Sequence, residues 1–199
     1  MLTKVAEANF PSRFGHFRIY GFEAVYDQQL EECVVLRMGD VTTGSEPPLV
    51  RIHSQCLTGD VFHSLRCDCR SQLELALNLI AEEGRGMVIY EHQEGRGIGL
   101  LNKLRAYELQ DDGADTVEAN ERLGFAADLR DYRVGVLMLQ DLGVRSTRLL
   151  SNNPRKLIGI EGYGLSVTEW LPLEIPPSES TRKYLRTKKE KLGHRLSSV

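Results

Sequence analysis

The sequence predicts an α+β fold in which a β-rich N-terminal part packs on an alternating α/β part with a mixed sheet. Two observations carry this. The first fifty residues are short alternating or β-branched runs parted by turn residues. From Ser71 onward, helix-like stretches closed by glycine alternate with buried apolar runs, the pattern of a partly parallel sheet.

Taken in order, Phe14 to Phe22 alternates apolar and polar residues, and Cys33 to Met38 is short and β-branched. Glu46-Pro-Pro48 marks a turn before the strand Leu49 to Ile52. Ser71-Gln-Leu-Glu74 reads as a capping box opening a helix that Gly84 closes. Gly86 to Tyr90 reads as a buried strand. Ile98 to Asp112 is a helix ended by Gly113, and Asp131 to Leu142 is another, ended by Gly143. Val144 to Leu150 and Gly164 to Leu171 complete the strands, with a short helix starting after Asn152-Asn-Pro154. Residues 1–175 form one unit without a linker or internal repeat. Residues 176–199 form a polar, basic tail, helical or partly disordered, carrying Arg182, Lys183, Arg186, Lys188, Lys189, Lys191 and Arg195.

A chain of 199 residues suffices for one sizeable domain. Its formal net charge of -3 gives no global reason to expect nucleic acid or a membrane surface as partner. Met1 to Glu7 lacks an apolar signal core, and no apolar run approaches the roughly 20 residues of a membrane span. A cytoplasmic, reducing setting is therefore expected, where clustered cysteines mean metal or catalysis rather than disulfides.

Three of the four cysteines, Cys56, Cys67 and Cys69, fall within fourteen positions as C-x10-C-x-C. A thiolate trio leaves one position of a tetrahedral zinc open for water, which is the catalytic arrangement. His53 or His63 would instead complete a closed structural site. Cys33, in a strand-like run, reads as a small core residue. The deaminase pattern of H-x-E with P-C-x-x-C is absent.

Three further loops are rich in polar residues. Glu91 to Leu100 contains Gly-Arg-Gly-Ile-Gly between a strand and a helix, where backbone N–H groups, the helix dipole and Arg96 suit an anion. Leu123 to Tyr132 ends in Asp128-x-Arg130-Asp131; Asp131 is placed to cap the next helix, whereas Asp128 lies further out. Leu149 to Lys156 follows a strand and offers Ser151 and Lys156 to phosphate. Together these place a polyphosphate at one end of a site and the metal at the other.

These motifs resemble GTP cyclohydrolase II, the enzyme that opens riboflavin biosynthesis, from about Val5 to His194. The most specific pieces are Arg51-x-His-Ser-x-Cys-Leu-Thr-Gly-Asp60, Leu65-Arg-Cys-Asp-Cys69, the run from His92 to Lys103, the run from Gly113 to Asn120, Leu123 to Asp128, and Asn152-Asn-Pro154. The resemblance implies hydrolysis of GTP to 2,5-diamino-6-ribosylamino-4(3H)-pyrimidinone 5′-phosphate, formate and pyrophosphate. It also implies one Zn2+ per subunit on Cys56, Cys67 and Cys69, Mg2+ on the triphosphate, and a homodimer. By the same resemblance, GTP is contacted by Arg51, Ile52, His53, Ser54, Gln55 and Gln72. Glu94, Gly95, Arg96, Thr116, Ser151 and Lys156 complete the contacts. Asp128 matches the general base, Arg130 the nucleophile and Tyr107 a further active-site position. A charged arginine has no lone pair, so an electrostatic clamp on pyrophosphate suits Arg130 better. The family often carries a second domain making dihydroxybutanone phosphate. This chain is too short to include it, so a monofunctional form is expected.

Three positions depart from the family pattern: Gln55 for the usual Glu, Arg70 for the usual Gly, and Ser151 for the usual Thr. Arg70 would be strained if its position requires positive φ. Two rival readings are a GTP-binding sensor without turnover and a zinc-knuckle RNA-binding module. The acidic balance and the lack of interleaved aromatics in the tail speak against the second.

Overall fold

The computed structural model describes residues 1–26 and 29–199. Seven strands form one mixed sheet in the order β1-β2-β3-β5-β4-β6-β7. Strands β1 (Leu2–Ser12), β2 (Gly15–Tyr26) and β3 (Gln29–Met38) make an antiparallel meander. Strand β3 pairs antiparallel with β5 (Gly86–Glu91), which lies parallel to β4 (Leu49–Ser54). Beyond β4 follow β6 (Ser146–Leu150) and β7 (Ser166–Leu171), also parallel. The β-rich start and the α/β part are thus joined edge to edge by backbone hydrogen bonds, rather than stacked as layers.

Helices cover both faces of the parallel half. They are α1 (Cys69–Glu83) on one face and α4 (Arg133–Asp141) and α5 (Pro154–Gly162) on the other, while α2 (Leu100–Asp111) and α3 (Thr116–Arg122) pack on each other and α3 on α6 (Glu179–Leu192). Strand β4 is buried on both sides from Leu49 to His53, as parallel strands between helices are. Its period of two divides the core. Val50 and Ile52 join Met87, Ile89, Val136, Leu139 and Ile160 on the α4–α5 face. Leu49 joins Val88, Ala76, Leu77 and Ile80 on the α1 face. Arg51 shares that second parity and therefore reaches α1. Cys33 is buried in the core and not in the cysteine cluster.

Several boundaries differ from the sequence reading. Helix α1 starts at Cys69, so Ser71 is not its cap. Asp68 occupies the N-cap but makes no capping bond, because its carboxylate is spent elsewhere. Starting earlier places Arg70 in helical backbone, so the expected strain does not arise; the positive-φ non-glycine residues are His63 and Arg96. Strand β1 and helix α3, the latter closed by an Asp115–Glu118 capping box, were not anticipated. Asp131 does accept from the Arg133 backbone N–H at 2.8 Å, one residue before the N-cap Tyr132.

The basic segment after Pro176 includes α6, capped by Ser178 and ended by a left-handed Gly193. Leu185, Leu192 and Leu196 are buried, and Lys191 pairs with Asp115 and Glu118 of the α3 capping box.

Candidate active site

The carboxyl ends of β4, β5 and β6 open into one cavity of about 1080 Å3, its solvent mouth included. Every residue that the family resemblance assigns to the site lines it except Ile52 and Asp128. Ile52 belongs to the α4–α5 core, and only its carbonyl takes part, accepting Lys156 Nζ at 2.6 Å. Asp128 stands behind Arg130, which grips it with Nε at 2.9 Å and Nη2 at 2.6 Å.

Cys56 leads into a one-turn π-helix, Leu57–Val61, and Cys67 and Cys69 flank the start of α1. Their sulfurs lie within 4.8 Å of one another, and among the described residues this is the one such cluster of His, Cys, Asp or Glu. Cys56 Sγ and Cys67 Sγ are 3.8 Å apart, the span of two zinc–thiolate bonds of about 2.3 Å at a tetrahedral angle. Gly59 backs the cluster: a Cβ there would fall 2.8 Å from Cys67 Sγ and 3.0 Å from Cys56 Sγ. The three thiols therefore fit a zinc ion. Neither histidine completes a closed set. His53 Nε2 is 3.2 Å from Asp60, and His63 is exposed.

The cluster is charged as well as shaped. Hydrogen bonds from the Cys67 and Cys69 thiols, helped by Lys103, hold the Cys56 pKa far below that of a free thiol. Lys103 was not singled out in the sequence. Its Nζ donates to Cys56 Sγ at 3.1 Å and to Glu94 Oε1 at 2.7 Å. Burial opposes its charge, but the Cys56 thiolate and Glu94 outweigh burial and raise its pKa.

Two carboxylates act as supports. Asp60 accepts from Tyr90 Oη at 2.9 Å and the Cys56 backbone N–H at 3.0 Å, and Arg70 Nη1 holds its carbonyl at 2.8 Å. Arg70 thus braces the π-turn from α1. Glu94 Oε2 accepts the Leu57 N–H at 2.7 Å, so both its oxygens are already committed to the Cys56 loop and to Lys103. Tyr107 Oη is 3.0 Å from Thr58 Oγ1, which is 3.7 Å from Cys56 Sγ.

The opposite wall is cationic. Burial, then the like charges of Arg51 and Arg130, drives the Lys156 pKa well below its ordinary value. Burial brings Arg51 down to about 10. Burial, with Lys188, Arg130 and Arg96 next, also depresses His194. Among the described residues, three buried donors here have no protein partner: Arg51 Nε and both Arg96 terminal nitrogens. Arg96 is held in left-handed backbone, φ 63°, next to Gly95 at φ 62°. Strain of that kind persists where the surrounding structure enforces it, and it aims the guanidinium into the cavity. Gln55 lines the cavity and donates its backbone N–H to Glu91 O at 2.8 Å. Ser151 Oγ accepts the Asn153 N–H at 3.1 Å, and Thr116 opens α3.

The sequence falls among known proteins. A family model described as GTP cyclohydrolase II matches residues 3–172. The riboflavin biosynthesis protein RibBA of Chlorobium phaeovibrioides is 57% identical over 197 residues, 99% of this chain and 47% of that protein. RibBA of Bacillus subtilis is 56% identical over 196 residues, 98% of this chain and 49% of that protein. The chain thus spans about half the length of these curated relatives. A solved structure of RibBX, a two-domain 3,4-dihydroxy-2-butanone 4-phosphate synthase from A. baumannii, aligns over 85% of this chain and 40% of that one. Its TM-score is 0.45 with 17% identity, too slight a likeness to carry an argument.

Proposed function

Because the chain belongs to the GTP cyclohydrolase II family, we propose that it hydrolyses GTP in a zinc-dependent reaction, with Mg2+ on the triphosphate. The products are formate, pyrophosphate and 2,5-diamino-6-ribosylamino-4(3H)-pyrimidinone 5′-phosphate, the first committed compound of riboflavin biosynthesis. One observation carries this reading. A three-thiol cluster and a wall of cations with partnerless buried donors face one cavity. Nucleobase chemistry at one end and polyphosphate binding at the other need that pairing.

Cys56, Cys67 and Cys69 would hold the zinc, which supplies Lewis acidity and a water acidified toward neutrality. Water adds at guanine C8 and the imidazole ring opens to a formamide; a second water releases formate, and a third displaces pyrophosphate from the α-phosphorus. The protein's part is placement and charge. Lys103, Asp60 and Glu94 fix the Cys56 loop. Gln72 presents its remaining amide N–H and lone pair to the base, having given one of each to Asp68 and Arg51. Arg96, Lys156 and the outer face of Arg130 receive the phosphates. The two Arg130–Asp128 bonds keep both groups charged: burial pushes the Asp128 carboxyl up, but Arg130 holds it below its usual value. That favours Arg130 as an electrostatic clamp on the leaving pyrophosphate. Tyr107 is tied to Thr58 beside the thiols, which supports assigning it to the formyl-releasing step.

A homodimer also fits. Strand β1 is exposed along nearly all its length, and its outer edge has no neighbouring strand among the described residues. No helix among those residues is long and apolar enough to cross a membrane.

Mass spectrometry after incubating the zinc-loaded protein with GTP and Mg2+ tests the reading. Formate, pyrophosphate and the diaminopyrimidinone ribotide are expected. GTP that binds but stays unchanged would replace this reading with a sensor.

A further inference from the structure

Helix α6 begins at Glu179, beyond the family match that ends at residue 172. Yet Tyr184, Lys188 and His194 line the same cavity as the thiols and Arg51. From α6 a continuous polar chain runs into that cavity. Lys188 Nζ donates to Asp68 Oδ1 at 3.0 Å. Gln72 Nε2 donates to the other oxygen, Asp68 Oδ2. Gln72 Oε1 accepts Arg51 Nη2 at 2.7 Å, and Arg51 Nη1 donates to Leu150 O at 3.1 Å. All four residues are buried, at 8%, 5%, 7% and 7% exposure respectively.

This geometry has one consequence for Gln72. An amide can rotate by half a turn and exchange its oxygen for its nitrogen. Here both ends are fixed at once: the nitrogen must face a carboxylate and the oxygen a guanidinium. Asp68 can impose that only while its carboxylate is held in place, and Lys188 is the side chain bonded to it at 3.0 Å. A buried carboxylate stripped of its cation is costly and changes rotamer or partner.

On the proposed function, we infer that Lys188 and Asp68 are positioning residues of the GTP site. They set the Gln72 amide and, through it, Arg51. Helix α6 is then a working wall of the nucleotide pocket, latched at Asp68 and again where Lys191 meets Asp115 and Glu118. Its effect falls on substrate recognition rather than on metal retention, since Lys188 makes no bond to a thiol.

The test uses the full zinc-loaded chain as wild type, Lys188→Met and Lys188→Arg. The Gln72 side-chain amide resonance, identified by its loss in Gln72→Met, is followed without GTP; zinc content, KM and kcat are measured beside it. Lys188→Met is expected to raise KM about tenfold, the size of one buried polar group left unsatisfied. Zinc content and kcat should hold, the Gln72 resonance should move, and Lys188→Arg should restore both resonance and KM. An unmoved resonance with wild-type KM overturns the inference, as does loss of zinc together with kcat, which would assign Lys188 to the cysteine loop. If Lys188→Met does not fold, Lys188→Ala takes its place under the same criteria. A wild-type protein inert to GTP sinks the proposed function alone, and the Gln72 resonance still decides the relay.

Discussion

Lys103 Nζ sits 3.1 Å from Cys56 Sγ and 2.7 Å from Glu94 Oε1, so a single ammonium joins the cysteine cluster to the loop that carries Arg96. It offsets part of the negative charge that the Cys56 thiolate and the buried Glu94 carboxylate would otherwise concentrate. Lys103→Met should therefore lower unfolding free energy by roughly 3 kcal/mol, the cost of leaving a buried partner unpaired. Adding Glu94→Gln should restore part of that loss. A double-mutant cycle by denaturant melts measures the coupling, and additive effects would show that the bridge is not an energetic unit.

Gly59 leaves no room for a methyl group beside the sulfurs of Cys56 and Cys67. Gly59→Ala should spread the thiols and weaken zinc binding about tenfold to a hundredfold, the usual range for disturbing groups behind the ligands. Competition against a chromophoric chelator reads this directly. Cys67→Ser in the same assay should fall from one zinc per chain toward none.

Glu91 is wholly buried at the end of β5, against the bare backbone of Gly135, where a Cβ would fall 2.6 Å from its Oε1. Burial raises its pKa to about 8. The native state thus keeps a proton that the unfolded chain gives up near its ordinary value of 4.5. This group costs nothing below that value, and stability falls as pH rises through the window up to about 8. The slope from one such proton is at most about 1.4 kcal/mol per pH unit. Glu91→Gln should flatten the stability profile between those limits. An unchanged slope would place the proton elsewhere.

Arg130 spends Nε and Nη2 on Asp128. Arg130→Lys should keep one bond and the charge, and retain measurable GTP turnover. Arg130→Met should lose both. Complete inactivity of the lysine variant, with fold and GTP affinity intact, would count against the clamp.

The cysteine spacing, the glycine-rich loop and the strand–helix alternation were legible because each rests on neighbours in sequence. Ser71 misled for the same reason. A Ser-x-x-Glu pattern looks like a cap wherever it occurs, and only packing showed that Cys69 and Arg70 are already helical. Lys103, Asp60 and Asp68 carry no periodic signal. Each acts through a side chain that folding alone brings near.

By itself the sequence determined the family, the α+β class, the clustered thiols and the loops around them, since residue type and local backbone preference are written into short motifs. The tertiary structure decided how they are held. It joined the meander and the parallel strands into one sheet, turned Glu94 toward Leu57 and Lys103, and set Asp128 behind Arg130. It also carried Lys188 across 120 positions to Asp68. Such a contact depends on where two distant side chains are buried together, and no local pattern encodes that distance.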